Sequence, residues 1–134
     1  MLVFEKTLLL IKPDAVKNKH IGEIISEIER EFEIVGIKLT QLNRKQAEEF
    51  YAIHQGKDFF PSLIDFMTSG PIVALLLQGD NVRTRLREFI GATDPKMAKP
   101  GTIRARFGTS IQQNAVHAAN PSEDPDKEIS FFFP

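Results

Sequence analysis

The chain has 134 residues, 42% of them hydrophobic, and a formal net charge of −1. This length predicts a single domain over residues 1–134 with its own apolar core, and the near-neutral charge argues against nucleic acid or an anionic membrane as a partner. The absence of cysteine excludes disulfides and thiolate metal sites and fits a reducing cytoplasm.

The first elements are predicted to be a strand, a helix and a second strand. The apolar run 7–12 stops at Pro13, which is typical of a strand buried on both faces. It lacks the basic flank of a signal peptide, and no apolar run approaches the roughly 20 residues that span a bilayer, so we expect a soluble protein. From Ile21 apolar residues recur at helical spacing, and this helix is expected to end near Gly36. Residues 34–42 predict the second strand.

The middle of the chain predicts two short helices, a strand and a longer helix. The short helices fall at 45–54 and 59–69, and the apolar run 70–79 lies between glycines as a central strand would. The following helix is expected to begin with Asn81 as its N-cap and to end at Gly91.

The last third begins with a segment that has no sustained period. Residues 92–114 hold two prolines and two glycines, and so long a loop in a compact domain is usually functional or disordered. Residues 115–117 predict a short last strand, and 121–129 a turn that opens a short helix. The apolar end 130–134 is expected to pack on its own core or on a neighbouring subunit. This order predicts an α+β fold, a ferredoxin-like βαββαβ sandwich with a four-stranded antiparallel sheet and helices packed on it.

A basic cluster lies between residues 81 and 106, in a chain that is slightly acidic as a whole. One interpretation is a solvated helix face, and the other is a phosphate site gripped by guanidinium groups. Neither GxxxxGK[ST] nor GxGxxG is present, so side chains would have to hold the phosphate. Lys12, which follows the first strand, is either another phosphate ligand or a strand-end solubility residue.

His117 stands between small residues and before a polar turn. A histidine can act as a general base, a metal ligand, a nucleophile or a hydrogen-bonded core residue. No His or Cys partner stands at ligand spacing, which disfavours a metal site. Glu128 could orient one ring nitrogen, and a histidine so held near arginines could accept and pass on a phosphoryl group. His20 and His54 are interpreted as surface or capping residues.

Four stretches together resemble the nucleoside diphosphate kinase family: "TLLLIKPDAV", "FFPSLIDFMTSGPIVALLL", "IGATDPKMAKPGTIRARFG" and "NAVHAANPSEDPDKEISFFF". The resemblance implies transfer of the γ-phosphoryl group of a nucleoside triphosphate, typically ATP, to a nucleoside diphosphate. The reaction would be ping-pong through a phosphohistidine, and it would maintain nucleotide pools. It also implies a cytoplasmic homo-oligomer, a tetramer or hexamer built on a common dimer, with subunit contacts from the long loop.

The resemblance assigns roles residue by residue. His117 is the phosphoryl acceptor, and Glu128 orients it. Mg²⁺ is expected to arrive on the nucleotide phosphates with no dedicated protein site, and Asn120 is the candidate for an outer-sphere contact. The side chains expected around the nucleotide are Lys12, Tyr51, Arg87, Thr93 and Arg104 at the phosphates, Lys12 and Asn114 at the ribose, and Phe59 under the base.

Two departures from the family pattern keep alternatives open. Ala118-Ala119-Asn120 stands where the family usually has Gly-Ser-Asp, which predicts reduced turnover or altered metal dependence. Arg106 stands where an acidic residue is common, and it is expected to add charge at the loop or to make a subunit contact. The rival functions are a catalytically weakened relative that binds nucleotides or a partner protein, and a nucleic-acid-binding module with salt-dependent oligonucleotide binding.

Overall fold

A four-stranded antiparallel sheet organises the protein, as a computed structural model that describes residues 2–134 shows. The strands are β1 (Phe4–Ile11), β2 (Glu33–Thr40), β3 (Ile72–Asp80) and β4 (Val116–Ala118). They lie in the order β2-β3-β1-β4, and each neighbouring pair is antiparallel. The helices are α1 (Pro13–Lys17), α2 (Ile21–Glu31), α3 (Arg44–Phe50), α4 (Phe60–Met67), α5 (Val82–Ile90), α6 (Ile103–Phe107) and α7 (Pro125–Phe132), with a 3₁₀ turn at Ala52–His54. The predicted ferredoxin-like fold is confirmed.

The sheet separates two apolar cores, and β1 contributes to both. Leu9 and Ile11 lie in the core under α2 and α5, whereas Leu8 and Leu10 lie in the core shared with α3, α4 and α7. All four side chains are fully buried, because β1 has a neighbouring strand on each side and helices on each face. The prediction of a first strand buried on both faces is confirmed. This burial places the end of β1 in the interior of the protein.

The expected helix end near Gly36 is wrong. Helix α2 ends at Glu31, and Gly36 lies inside β2 at a shift of register that follows Ile34. A Cβ at Gly36 would lie 2.9 Å from the Phe133 ring, so the missing side chain makes room for the C-terminal segment rather than stopping a helix. Phe132 is buried in the core of its own chain, which confirms the first of the two placements expected for the apolar end.

Between the third strand and the last, one expectation is confirmed and another is corrected. Asn81 stands at the N-cap position of α5, as expected, and its carbonyl accepts from the Arg85 N–H at 3.0 Å. Its backbone is left-handed (φ 52°), and its side chain does not cap the helix, since its Oδ1 accepts from the Val3 N–H at 3.1 Å. The segment predicted as a loop contains α6, whose first turn is capped by Thr102 Oγ1. Five residues are too few to display a helical period in the sequence. No helix in the described part of the chain is long and apolar enough to cross a bilayer.

Candidate active site

An open cavity of about 410 Å³ lies where β1 ends beside β4. Its walls come from the end of β1, the turn after α3, helix α5, the long loop, α6 and β4, which are far apart in sequence. Nine of the ten predicted site residues line it, namely Lys12, Tyr51, Phe59, Arg87, Thr93, Arg104, Asn114, His117 and Asn120. The tenth, Glu128, lies behind His117 and contacts it. The fold therefore brings the whole predicted set together.

His117 is held at the centre of the short strand β4. It pairs with Leu10 of β1, and its Nε2 lies 2.7 Å from Glu128 Oε1. Both side chains are mostly buried, with exposed fractions of 25% and 15%. The rings of Phe50 and Tyr51 approach the imidazole edge-on at centroid distances of 5.6 and 6.0 Å. Since one ring nitrogen is engaged by a carboxylate, the other is left for the cavity.

Two arginines are tethered on either side of His117. Arg87 Nη1 donates to the Ala118 carbonyl at 3.2 Å, and Arg104 Nη2 donates to the Val116 carbonyl at 2.9 Å. These carbonyls flank the histidine in β4, so each guanidinium is positioned relative to the imidazole through one peptide group. Burial and the charge of Arg87 lower the pKa of Arg104 to about 10. Two cations held this close indicate a site for an anion.

Lys12 adds a third cation from the sheet. Its ammonium is buried and donates to the Gln112 carbonyl at 2.6 Å and to Asn114 Oδ1 at 2.9 Å. Asn114 is held in turn, because its Nδ2 donates to the Thr93 carbonyl at 3.0 Å. Burial lowers the pKa of Lys12 to about 8, with Asp14 acting in the opposite direction. The lysine is thus a fixed cation of the site rather than a strand-end solubility residue.

The mouth of the cavity is apolar, and the wall beside it holds an unexpected histidine. Phe59 and Ile111 both line the cavity with exposed fractions of 48% and 61%. His54, expected at the surface or in a cap, instead lines the cavity and stacks on the buried Tyr51 ring at 6.4 Å. Burial raises the pKa of Tyr51, so its phenol stays neutral and can donate a hydrogen bond. His20 does stand at the N-cap position of α2, although it makes no capping bond.

A family model described as nucleoside diphosphate kinase matches residues 5–134. The chain belongs to the nucleoside diphosphate kinase family.

Relatives in the nucleoside diphosphate kinase family match over nearly their full length. Nucleoside diphosphate kinase 2 of Protochlamydia amoebophila is 51% identical over 133 residues, 98% of this chain and 93% of that protein. Among solved structures, the Aquifex aeolicus nucleoside diphosphate kinase matches with a TM-score of 0.94 and 40% identity, over 98% of this chain and 96% of that one. A halophilic enzyme from Halobacterium salinarum, in complex with CDP, matches with a TM-score of 0.93 and 35% identity, over 98% and 88%.

The positions that depart from the family pattern follow His117 directly. Ala119 is fully buried, and its N–H donates to the Leu8 carbonyl at 3.1 Å. Asn120 Oδ1 accepts from the backbone N–H and the hydroxyl of Ser122 at 3.0 and 2.8 Å, and its Nδ2 lies 3.3 Å from Glu123 Oε1. Glu123 therefore brings a carboxylate to the cavity wall beside a neutral amide. Within residues 2–134 no cluster of three or more His, Cys, Asp or Glu side chains could hold a metal ion.

The second departure from the nucleoside diphosphate kinase pattern, Arg106, has a partner within the chain. Its guanidinium pairs with Glu27 and lies 3.8 Å from Glu23, both on α2, and it covers the Phe107 ring at 4.7 Å. The charge that Arg106 was expected to add at the loop is thus paired within the chain, and the subunit contact stays a prediction. This ion pair joins α6, the helix that carries Arg104, to α2.

Two groups near the site were not expected from the sequence, the Gln112 carbonyl and the Asp14 carboxylate. The Gln112 carbonyl receives Lys12, and no side-chain pattern reports such a role. Asp14 lies inside the "KPDA" stretch on which part of the family resemblance rests. That motif was the available signal for this residue.

Proposed function

We propose that this chain is a working nucleoside diphosphate kinase, which moves the γ-phosphoryl group of a nucleoside triphosphate, typically ATP, to a nucleoside diphosphate and so maintains nucleotide pools in the cytoplasm. The observation that carries the proposal is the arrangement of His117. One ring nitrogen lies against Glu128, and two arginines are tethered to the peptide groups on either side. A nucleophile oriented by a carboxylate and surrounded by cations suits phosphoryl transfer.

In the first half-reaction His117 is the nucleophile. An ionised carboxylate only accepts hydrogen bonds, so Nε2 carries the proton toward Glu128 and Nδ1 keeps its lone pair. Nδ1 attacks the γ-phosphorus, the bond from that phosphorus to the β–γ bridging oxygen breaks, and its electron pair leaves with the nucleoside diphosphate. The imidazolium that forms is stabilised by Glu128.

In the second half-reaction a different nucleoside diphosphate takes the vacated place. A terminal oxygen of its β-phosphate attacks the phosphorus, the P–N bond breaks, and the lone pair returns to Nδ1. The enzyme is regenerated and a nucleoside triphosphate is released. Because donor and acceptor use one site in turn, the kinetics are ping-pong.

The remaining side chains of the cavity position the nucleotide and offset its charge. Lys12, Arg87 and Arg104 face the negative charge of the transferring group, which is the main contribution a protein makes to this chemistry. Tyr51 and Thr93 supply hydroxyl groups near the phosphates, and Lys12 with Asn114 reaches the ribose hydroxyls. Phe59 offers an aromatic face on which any base can stack, so one site serves purines and pyrimidines.

Mg²⁺ enters as part of the nucleotide substrate. It prefers oxygen ligands and keeps several waters when it is bound to phosphates. The Glu123 carboxylate and the Asn120 amide, which share a hydrogen bond at the cavity wall, fit contact with such a hydrated ion. Assembly into a homo-oligomer, a tetramer or a hexamer built on a common dimer, is part of the same proposal and follows from the family alone. Nucleic acid is not an expected partner.

A second candidate is a weakened relative that binds nucleotides without turning them over. Ala119 and Asn120 favour it, because they remove a hydroxyl and a charge beside the nucleophile. Retention of His117, its carboxylate partner and the three cations favours the active enzyme. The two candidates differ in whether a phosphorylated enzyme forms.

Intact mass spectrometry decides between them. The intact mass of the purified protein is measured after mixing with Mg-ATP and again after GDP is added. We expect a gain of one phosphoryl group that disappears with GDP, is missing in His117→Ala, and is kept in the matched control His20→Ala, whose ring lies near Phe107 outside the cavity. No gain at any Mg²⁺ concentration would support the weakened relative.

A further inference from the structure

Asp14 is a buried carboxylate beside the active site that none of the steps above uses. It lies in the first turn of α1, two residues after Lys12, and it is only 8% exposed. Its Oδ2 accepts from the Ala115 N–H at 3.0 Å across the end of the sheet. Its Oδ1 is buried and has no hydrogen-bond partner within residues 2–134. A buried carboxylate in this setting is costly, so a function is needed to account for it.

Ala115, which Asp14 contacts, has a strained backbone. Its φ is +75°, a left-handed conformation that side chains with a Cβ seldom adopt. Its carbonyl accepts from the Lys12 N–H at 2.9 Å, while its N–H is the group bound by Asp14. The N–H and the carbonyl of Ala115 are therefore both hydrogen-bonded to the segment after β1, at Asp14 and Lys12 respectively. The strained residue sits between Asn114, which holds the Lys12 ammonium, and the strand that carries His117.

Asp14 also balances the charge of Lys12. The ammonium donates to two uncharged oxygens, those of Gln112 and Asn114. The charged groups that act on it are Asp14 on α1 and Arg104 on α6, and they act in opposite directions. Asp14 raises the pKa of Lys12, whereas burial and Arg104 lower it. Asp14 is therefore the charged group that favours the protonated form of Lys12, against burial and Arg104.

We propose that Asp14 is a positioning residue for phosphoryl transfer, which holds Ala115 in its left-handed conformation and supplies a negative charge that acts on the Lys12 ammonium. The proposal rests on the proposed function, since it assumes that Lys12 serves the phosphates. The carboxylate does not line the cavity around His117. It acts through two neighbours. Ala115 sets where β4 begins, and Lys12 supplies positive charge to the cavity.

Two substitutions separate these two effects. Asp14→Asn keeps an oxygen that can accept from the Ala115 N–H but removes the charge, whereas Asp14→Ala removes both. For Asp14→Asn we expect kcat/KM near the wild-type value at acidic pH and an alkaline decline that begins about one pH unit lower. For Asp14→Ala we expect a loss of at least tenfold in kcat/KM at every pH, in protein that circular dichroism shows to be folded. Asp80→Asn, at the exposed end of β3, is the matched control with a wild-type profile.

The charge of Lys12 is measured directly by ¹³C NMR of its Cε in protein labelled with ¹³C-lysine, with the signal assigned by its loss in Lys12→Arg. The titration midpoint should fall in Asp14→Asn relative to the wild type and the control. This reading does not depend on turnover. If the wild type forms no phosphoenzyme, the proposed function fails, and the titration still decides whether Asp14 sets the charge of Lys12.

The overturning results are specific. An unchanged Lys12 midpoint and an unchanged pH profile in folded Asp14→Asn would overturn the charge effect. Wild-type kcat/KM in Asp14→Ala would overturn the positioning of Ala115. A purely structural role would lower the melting temperature of both variants and leave the shape of the pH profile as it is in the wild type.

Discussion

Nε2 of His117 lies 2.7 Å from Oε1 of Glu128, and this contact joins the last strand of the sheet to the last helix. The carboxylate fixes the orientation and tautomer of the ring. We expect Glu128→Ala to lower kcat by roughly 10- to 100-fold, by analogy with the loss of partners that orient metal-bound histidines. KM should change little, because Glu128 does not line the cavity around His117. Steady-state kinetics with ATP and a second nucleoside diphosphate provide the measurement.

The control for this variant lies on the same helix. Asp126 pairs with Arg83, and its side chain is 82% exposed, so Asp126→Ala changes a charge of α7 without reaching the histidine. It should keep the wild-type kcat. Equal losses in both variants would mean that α7, and not the carboxylate contact, was disturbed.

The Ala119→Ser and Asn120→Asp double variant restores the serine and the aspartate of the family pattern after His117. A serine hydroxyl at 119 would lie near Glu128, and a carboxylate at 120 would stand beside Glu123 and help place the water shell of Mg²⁺. We expect faster phosphorylation of His117 and a steeper Mg²⁺ dependence, measured by single-turnover quench kinetics at several Mg²⁺ concentrations. A flat rate would show that these two positions do not limit this enzyme.

Lys12 makes the stability of the protein depend on pH. The folded state holds its pKa at about 8, against 10.5 for an unperturbed lysine, so between these values the unfolded state binds more protons and stability rises with pH. Lys12→Met removes this titration. Its free energy of unfolding, minus that of the wild type, should therefore fall as pH rises from 8 to 10.5, by at most about 3 kcal/mol. Urea denaturation over this range measures it.

The control for the pH series is Lys17→Met in α1, where the side chain is exposed. This variant retains Lys12, so its free energy of unfolding should still rise with pH over the same interval. A difference for Lys12→Met that stayed constant, or that grew with pH, would contradict the lowered pKa.

Arg106 is expected to support stability and not catalysis. It pairs with Glu27 on α2, with an exposed fraction of 40% for the arginine and 19% for the glutamate. Partly exposed pairs contribute up to about 1 kcal/mol. Arg106→Ala should lower the free energy of unfolding by that amount and leave phosphorylation of His117 unchanged, whereas the exposed Arg30→Ala on α2 should alter neither. A large kinetic loss in Arg106→Ala would show that α6 depends on this ion pair to place Arg104.

Contacts with residues far away in sequence override local preferences at two positions. Gly36 is a residue type that commonly ends helices, yet it lies inside β2 and leaves room for Phe133. Asn81 does stand at the N-cap position of α5, but its side chain accepts from the Val3 N–H instead of capping the helix. A propensity rule reports what a residue favours among its neighbours, and such a contact overrides it. His54 was misplaced for the same reason, since its position in the cavity wall depends on how the turn after α3 meets β4.

The sequence by itself determined the order of the four strands and the longer helices, the doubly buried first strand, the family and nine of the residues that line the cavity. These follow from local apolar periodicity and from motifs that can be read along the chain. Only the tertiary structure decided that Arg87 and Arg104 bind the two carbonyls flanking His117, and that Asp14 fastens the strained Ala115. Those contacts join residues from different elements and depend on backbone groups, which every residue carries alike, so no pattern of side chains can reveal them.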